Sequence, residues 1–177
     1  ADPRVPPWAL ELARHEALDV LVGSLAEPPR PAELPELDAE RGLTFTGTAR
    51  VVKSAFAVHR LSAAADDRTE PERSPTALFV YRSPEHEVRY LELTPLAAAL
   101  LERLLTGQTL RNALEGATRE LATPLDARVL EGAARVLSEL AERGAITGAR
   151  EPGEADLQKP REPTENAGKR RAPERTG

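Results

Sequence analysis

Between residues 76 and 150 the spacing of apolar positions changes from two to about three and a half, which divides the segment into elements. In TALFVYR (76–82) Leu78, Val80 and Arg82 alternate with Phe79 and Tyr81. In EVRYLEL (87–93) Val88, Tyr90 and Glu92 alternate with Arg89, Leu91 and Leu93. Strict alternation is the signature of a strand whose two faces meet different surroundings. Ser83-Pro84-Glu85-His86 supplies the turn, so the pair reads as a β-hairpin. Thr94-Pro95 then has the form of an N-cap followed by a first-turn proline. The helix it opens carries Leu96, Leu100, Leu101, Leu104 and Leu105, and Gly107 stops it. A second helix starts near Thr109, with Leu110, Ala113, Leu114, Ala117 and Leu121 inward. A third, over about 126–143, repeats Val129, Ala133, Val136 and Leu140, with Leu130, Leu137 and Ala141 alongside. Glu131, Arg135, Glu139 and Arg143 alternate in sign four apart on its other side, a pattern that stabilises a solvated face. Gly144 ends this helix, and Ala145-Ile146-Thr147 returns towards the sheet.

Upstream the pattern is less regular. Residues 8–22 (WALELARHEALDVLV) predict a helix, with Pro6 and Pro7 before it and Gly23 as its C′ stop. Leu10, Ala13, Ala17, Val20 and Leu21 share one face, while Glu11, Arg14, His15 and Asp19 fall largely elsewhere. Trp8 and Leu12 widen the apolar stripe beyond what a surface helix needs, so this helix calls for neighbours on more than one side. Residues 24–42, with Pro28, Pro29, Pro31 and Pro35, predict an extended or irregular arm. Residues 43–61 (LTFTGTARVVKSAFAVHRL) hold strand-like material, with imperfect alternation around Phe56. Residues 62–75 predict a mobile loop. Residues 151–177 contain four prolines, six acids and six bases, with Leu157 as the one large aliphatic side chain; such a tail cannot bury enough surface to fold. The fold expected is therefore α+β: an N-terminal helix and proline-rich linker over 1–42, a winged-helix-like domain over 43–150, and a disordered tail over 151–177.

A small domain of two strands, three helices and a final strand can hold DNA with its last helix or take up a peptide at its sheet edge. Charge discriminates between the two. From Thr76 to Arg150 there are nine Arg and no Lys against nine Glu and one Asp, a net charge of 9 − 10 = −1. Duplex binding needs an excess of cations to displace counterions, so protein or peptide recognition is the better reading. The 177-residue chain has a net charge of −5 and no cysteine, which excludes disulfides, thiolate metal sites and cysteine nucleophiles. It shows neither a membrane-length apolar run nor the h-region of a signal peptide, and a cytoplasmic protein is expected.

Candidate chemistry is sparse. His15, His59 and His86 lie far apart and lack carboxylates at ligand spacing, so neither a metal nor another cofactor is expected. No phosphate loop or G-x-S-x-G motif occurs, and Glu85 and Glu87 flank a solvated turn rather than a pocket that would shift their pKa. GKRR (168–171) is a short basic cluster flanked by Glu165 and Glu174. No enzymatic activity is expected.

The run YRSPEHEVRYLELTPLAAALLERLLTGQTLRNALEGA (81–117) resembles the C-terminal domain of the HvfC/MbnC-type proteins, commonly labelled DNA-binding. The features shared are a strand ending in arginine, a second strand with L-x-L, a Leu-rich helix, Gly-x-Thr-Leu and an Ala-rich helix. WALELARHEALDVL resembles the helix that closes the family's N-terminal helical domain, and ARVVKSAFAVHRL its middle strand region. The resemblance spans about residues 6–148. By this resemblance the chain is expected to be N-terminally shortened relative to the family, with almost none of the helical bundle that precedes WALELARHE.

The resemblance implies a partner subunit. It would serve a multinuclear-iron enzyme of TIM-barrel type that modifies cysteine in a ribosomally made precursor peptide. It also implies a C-terminal domain that binds a leader peptide as an added strand. On that basis Val88, Arg89, Tyr90 and Leu91 at the sheet edge, with Arg128, Glu131 and Arg135 on the facing helix, are the expected peptide contacts. Trp8 and Leu12 are the expected enzyme contacts. The competing reading is a winged-helix transcriptional regulator that recognises DNA through residues 126–143. A third is an oligomerisation module built on helix 8–22.

Overall fold

The computed structural model describes residues 5–26, 38–62 and 69–150. The core of the proline-rich arm, the centre of the 62–75 loop and the tail after Arg150, for which irregular or disordered chain was expected, lie outside the described residues. In chain order the elements are α1 (Ala9–Ser24), β1 (Gly42–Phe45), β2 (Arg50–Ser54), a 3-10 turn (Val58–Arg60), β3 (Thr76–Arg82), β4 (Val88–Leu93), α2 (Pro95–Leu105), α3 (Leu110–Glu120), α4 (Ala127–Glu142) and β5 (Ile146–Arg150). The architecture is α+β, as the sequence predicts.

The strands form two antiparallel sheets, β2-β3-β4 and β1-β5. In the larger sheet Val80 faces Arg50 on one side and Tyr90 on the other, and alternation divides its two faces as expected. Phe79, Tyr81 and Leu93 point into the main core with Leu100, Leu101, Leu104, Leu137 and Leu140 from the helices. Leu78 and Val80 point the opposite way, into a second cluster closed by Leu18 and Val22 of α1. The sheet is therefore covered by α1 on one face and by α2–α4 on the other.

Several local expectations need correction. The strand-like residues around Phe56 form no strand: the chain leaves β2 at Ser54 and turns through Val58–Arg60. The final strand does not rejoin the hairpin sheet but pairs with β1, Ile146 opposite Phe45. The Ala145 carbonyl accepts from Thr46 N–H at 3.0 Å as the chain leaves α4, which directs it there. Gly23 lies inside α1 rather than beyond it, and a Cβ at that position would stand 3.8 Å from Val88 Cγ2. Leu121, expected inward, and Leu130, expected alongside the apolar row of the third helix, are 37% and 50% exposed.

The largest revision concerns α1. The face carrying Leu10, Val20 and Leu21 is exposed, and the helix docks through the side that includes the polar residues. The Glu11 carboxylate accepts from the backbone N–H groups of Ala55 (3.1 Å) and Phe56 (3.0 Å). The Tyr90 hydroxyl donates to Asp19 at 2.6 Å, and His15 lies against the Tyr90 ring, centroids 5.0 Å apart. At the far end Arg82 donates to the carbonyls of Gly23 (2.9 Å) and Leu25 (2.8 Å). These bonds give partners to polar groups that the end of α1 and the exit of β2 would otherwise leave to solvent.

Candidate peptide-recognition edge

The hairpin turn fixes which backbone groups of β4 face outward. Ser83 N–H donates to the Glu87 carbonyl at 2.8 Å, so the pairs bonded to each other in the β3–β4 ladder are Tyr81 with Arg89, Phe79 with Leu91 and Ala77 with Leu93. Arg82 N–H fits this phase, since it points away from β4 and is taken by Thr48 Oγ1 at 3.0 Å. Val88, Tyr90 and Glu92 consequently present N–H and C=O to the outer edge. Two segments could have closed that edge, residues 50–60 and Ile146. The first instead pairs with β3 on its other side, and the second pairs with β1. Among the described residues nothing zips the β4 edge.

Side chains on β4 are largely committed. Val88 and Tyr90 pack against the α1 side, and Leu91 against the helical layer. Arg89 is exposed and ion-paired with Glu87. A chain lying along β4 would meet mainly backbone, and selectivity would come from elsewhere. Burial foremost, then the hydrogen bond to Asp19, raises the Tyr90 hydroxyl pKa well above the ordinary phenol value. Burial likewise pushes the His15 imidazole down, against the opposing pull of Glu16.

The two ends of α4 approach the two ends of β4. Its C-terminal Arg143 shares a depression with Tyr81, Ser83, Glu85 and Arg89 at the hairpin end. Its first turn, with Arg128 and Val129, meets Thr94 where β4 ends. Between α4 and the first half of α2 lies a groove of about 370 Å³, floored by Leu96, Ala97, Leu100, Val129, Ala133 and Val136. Arg128 and Arg135 line it; Glu131 is exposed on the same helix and does not. The expected contacts thus divide: Val88 and Tyr90 have outward backbone groups at the β4 edge, Arg89 and Leu91 have theirs bonded to β3, the two arginines line the groove, and Glu131 stands apart. Leu96, Leu100 and Gly132 were not foreseen as groove residues. The signal available in the sequence was Gly132, a glycine inside an otherwise strong helical pattern.

Trp8 and Leu12 are half-buried and face the 3-10 turn, lining a cleft of about 250 Å³ with His15, Val58, His59 and Leu61. His59 Nε2 lies 3.2 Å from the Glu92 carboxylate, which also accepts from Arg60 at 2.6 Å. Among the described residues no group of three His, Asp or Glu is placed to hold a metal ion, and no helix is long and apolar enough to cross a membrane.

Residues 47–141 match the family model of the HvfC C-terminal domain. No curated protein matches the chain.

Proposed function

Because the chain belongs to the family of the HvfC C-terminal domain, we propose that it is a non-catalytic recognition subunit. It binds a ribosomally made precursor peptide and presents it to an iron-dependent modifying enzyme, which holds the metal chemistry. The open β4 edge carries this reading. An extended peptide satisfies the outward N–H and C=O groups of Val88, Tyr90 and Glu92 by pairing as a fourth strand next to β4. Main-chain bonds of this kind supply affinity, and the neighbouring helix supplies selectivity. The enzyme docks on the α1 side, where Trp8 and Leu12 border the cleft against the 3-10 turn.

A proline at an outward-facing position tests the edge without breaking the domain. Glu92 N–H makes no bond to β3, so Glu92→Pro removes one edge donor and leaves the ladder intact. It also removes the carboxylate that meets His59 and Arg60, and Glu92→Ala, which loses the carboxylate alone, is its control. Leu91→Pro, which deletes a bond to Phe79, serves as the contrasting variant and is expected to destabilise the domain. On purification from the native host, the wild-type chain brings down both precursor peptide and enzyme. Glu92→Pro keeps its melting temperature to within a few degrees, retains the enzyme and loses the peptide. Peptide retained at wild-type levels by a folded Glu92→Pro variant rules out strand addition at β4.

A further inference from the structure

Gly132 sits in the middle of α4, where glycine costs about 1 kcal/mol relative to alanine. Packing does not require it: a Cβ at this position would meet nothing within 4 Å. Its effect is to leave the wall of the α2–α4 groove open opposite Leu96 and Leu100. Arg128 and Arg135 stand four residues before and three after it, on the same stripe of the helix. Both are exposed, and among the described residues neither has a hydrogen-bond or ion-pair partner. This sets them apart from Arg143 on the same helix, which is held by Glu139 at 2.7 Å. An apolar floor, a cleared wall and two guanidiniums without carboxylates describe one kind of occupant.

We propose that this groove is the specificity pocket of the recognition edge and takes a large apolar residue flanked by carboxylates in the bound peptide. The proposal rests on the peptide-binding reading and adds the class of sequence recognised. Thr94 marks where β4 ends and the groove begins, so a peptide pairing with β4 reaches the groove as it passes that end. One apolar side chain then covers Leu96, Ala133 and Val136. Neighbouring carboxylates meet Arg128 and Arg135, whose Cα atoms lie about 10 Å apart at the helical rise, within reach of two acids bracketing a single apolar residue. Guanidinium–carboxylate pairing also gives a mechanism for rejecting basic peptides, since a lysine there would face two like charges.

The experiment uses three fluorescein-labelled synthetic peptides, each an alternating threonine–valine segment with a different ending. The first ends in Asp-Leu-Asp-Leu, the second replaces both aspartates by lysine, and the third replaces both leucines by serine. Fluorescence anisotropy with the full chain is expected to favour the first peptide over each of the others by about tenfold or more. The double variant Arg128→Glu/Arg135→Glu inverts the preference towards the lysine peptide. Gly132→Leu fills the groove, melts no lower than the wild type because it replaces a helix-interior glycine, and loses the acidic peptide's advantage. Equal binding of all three peptides, or a Gly132→Leu variant that discriminates as the wild type does, overturns the pocket and leaves strand addition standing. Absence of any binding also overturns the pocket, whereas the strand-addition reading falls only if folded Glu92→Pro keeps its precursor peptide.

Discussion

Three helices of this chain end in the same way, and one of them carries the wrong residue for it. After α2, Gly107 N–H donates to the Leu104 carbonyl and Gln108 N–H to that of Arg103; after α4, Gly144 and Ala145 repeat the pattern with Ala141 and Leu140. These are Schellman closures, in which the C′ residue adopts a left-handed backbone, and both glycines have positive φ, 91° and 72°. After α3 the bonds recur, Ala122 N–H to Arg119 and Thr123 N–H to Thr118, but the C′ residue is Ala122 at φ 49°. A side chain in that region costs about 1 kcal/mol or slightly more. Ala122→Gly is therefore expected to stabilise the domain by about 1 kcal/mol, a few degrees in Tm, while Gly107→Ala and Gly144→Ala lose a similar amount. Thermal melts of the three variants check this, and a lower Tm for Ala122→Gly would refute it.

At the scale of elements, pH acts on the seam between α1 and the sheet. His15 is half-buried there against Tyr90, near Glu16, Asp19 and His59, and burial holds its folded pKa below the ordinary 6.5. The neutral ring suits the seam, so its contribution is fully present above pH 6.5. It is lost as pH falls towards the lower folded value, because the unfolded chain takes up the proton first. Trp8, the single tryptophan, lines the same cleft and reports the event. Its emission is expected to shift as pH drops below 6.5, and the shift to diminish in His15→Gln; emission unchanged down to pH 5 would contradict the assignment. The seam also explains what the sequence could and could not reveal. Helices α2 to α4 were legible from apolar positions at helical spacing, with the Thr94 cap also visible for α2; Thr109 and Asp126 cap the other two in the structure. The docking face of α1 was not, because Glu11 and Asp19 serve there as hydrogen-bond acceptors for the sheet layer, whereas hydrophobic patterning assigns such residues to solvent. The pairing of β1 with β5 escaped for a different reason: it joins residues about a hundred positions apart, beyond any local period. At the site, the edge strand followed from alternation and turn chemistry. The groove needed the packing of α2 against α4, for which Gly132 was the sole local sign.

At the scale of the whole molecule, the arrangement of charge among the described residues favours a polypeptide partner over nucleic acid. A net charge of −5 is only part of the argument, because a local basic surface could still exist. The pairing of individual cations weighs more. Lys53 is held by Glu102 at 2.8 Å, Arg60 by Glu92 at 2.6 Å, Arg103 by Glu120 at 2.9 Å and Arg111 by Glu40 at 2.5 Å. Each would have to surrender a carboxylate before meeting a phosphate, and the freed carboxylate would then repel the duplex. On α4, the helix a winged-helix regulator would insert into the major groove, Arg143 is likewise held by Glu139, which leaves Arg128 and Arg135. Two phosphate contacts from α4 correspond to a slope of log affinity against log salt of about −2. A labelled duplex titrated at 50 and 200 mM salt is therefore expected to bind weakly and to lose only about tenfold in affinity between the two conditions, against about a thousandfold for a slope of −5. An acidic peptide that meets the same two guanidiniums while burying a leucine is expected to outcompete the duplex at either salt. A slope as steep as −5, with the peptide unable to displace the duplex, would transfer α4 from peptide to DNA and remove the basis for reading this chain as a partner of polypeptides.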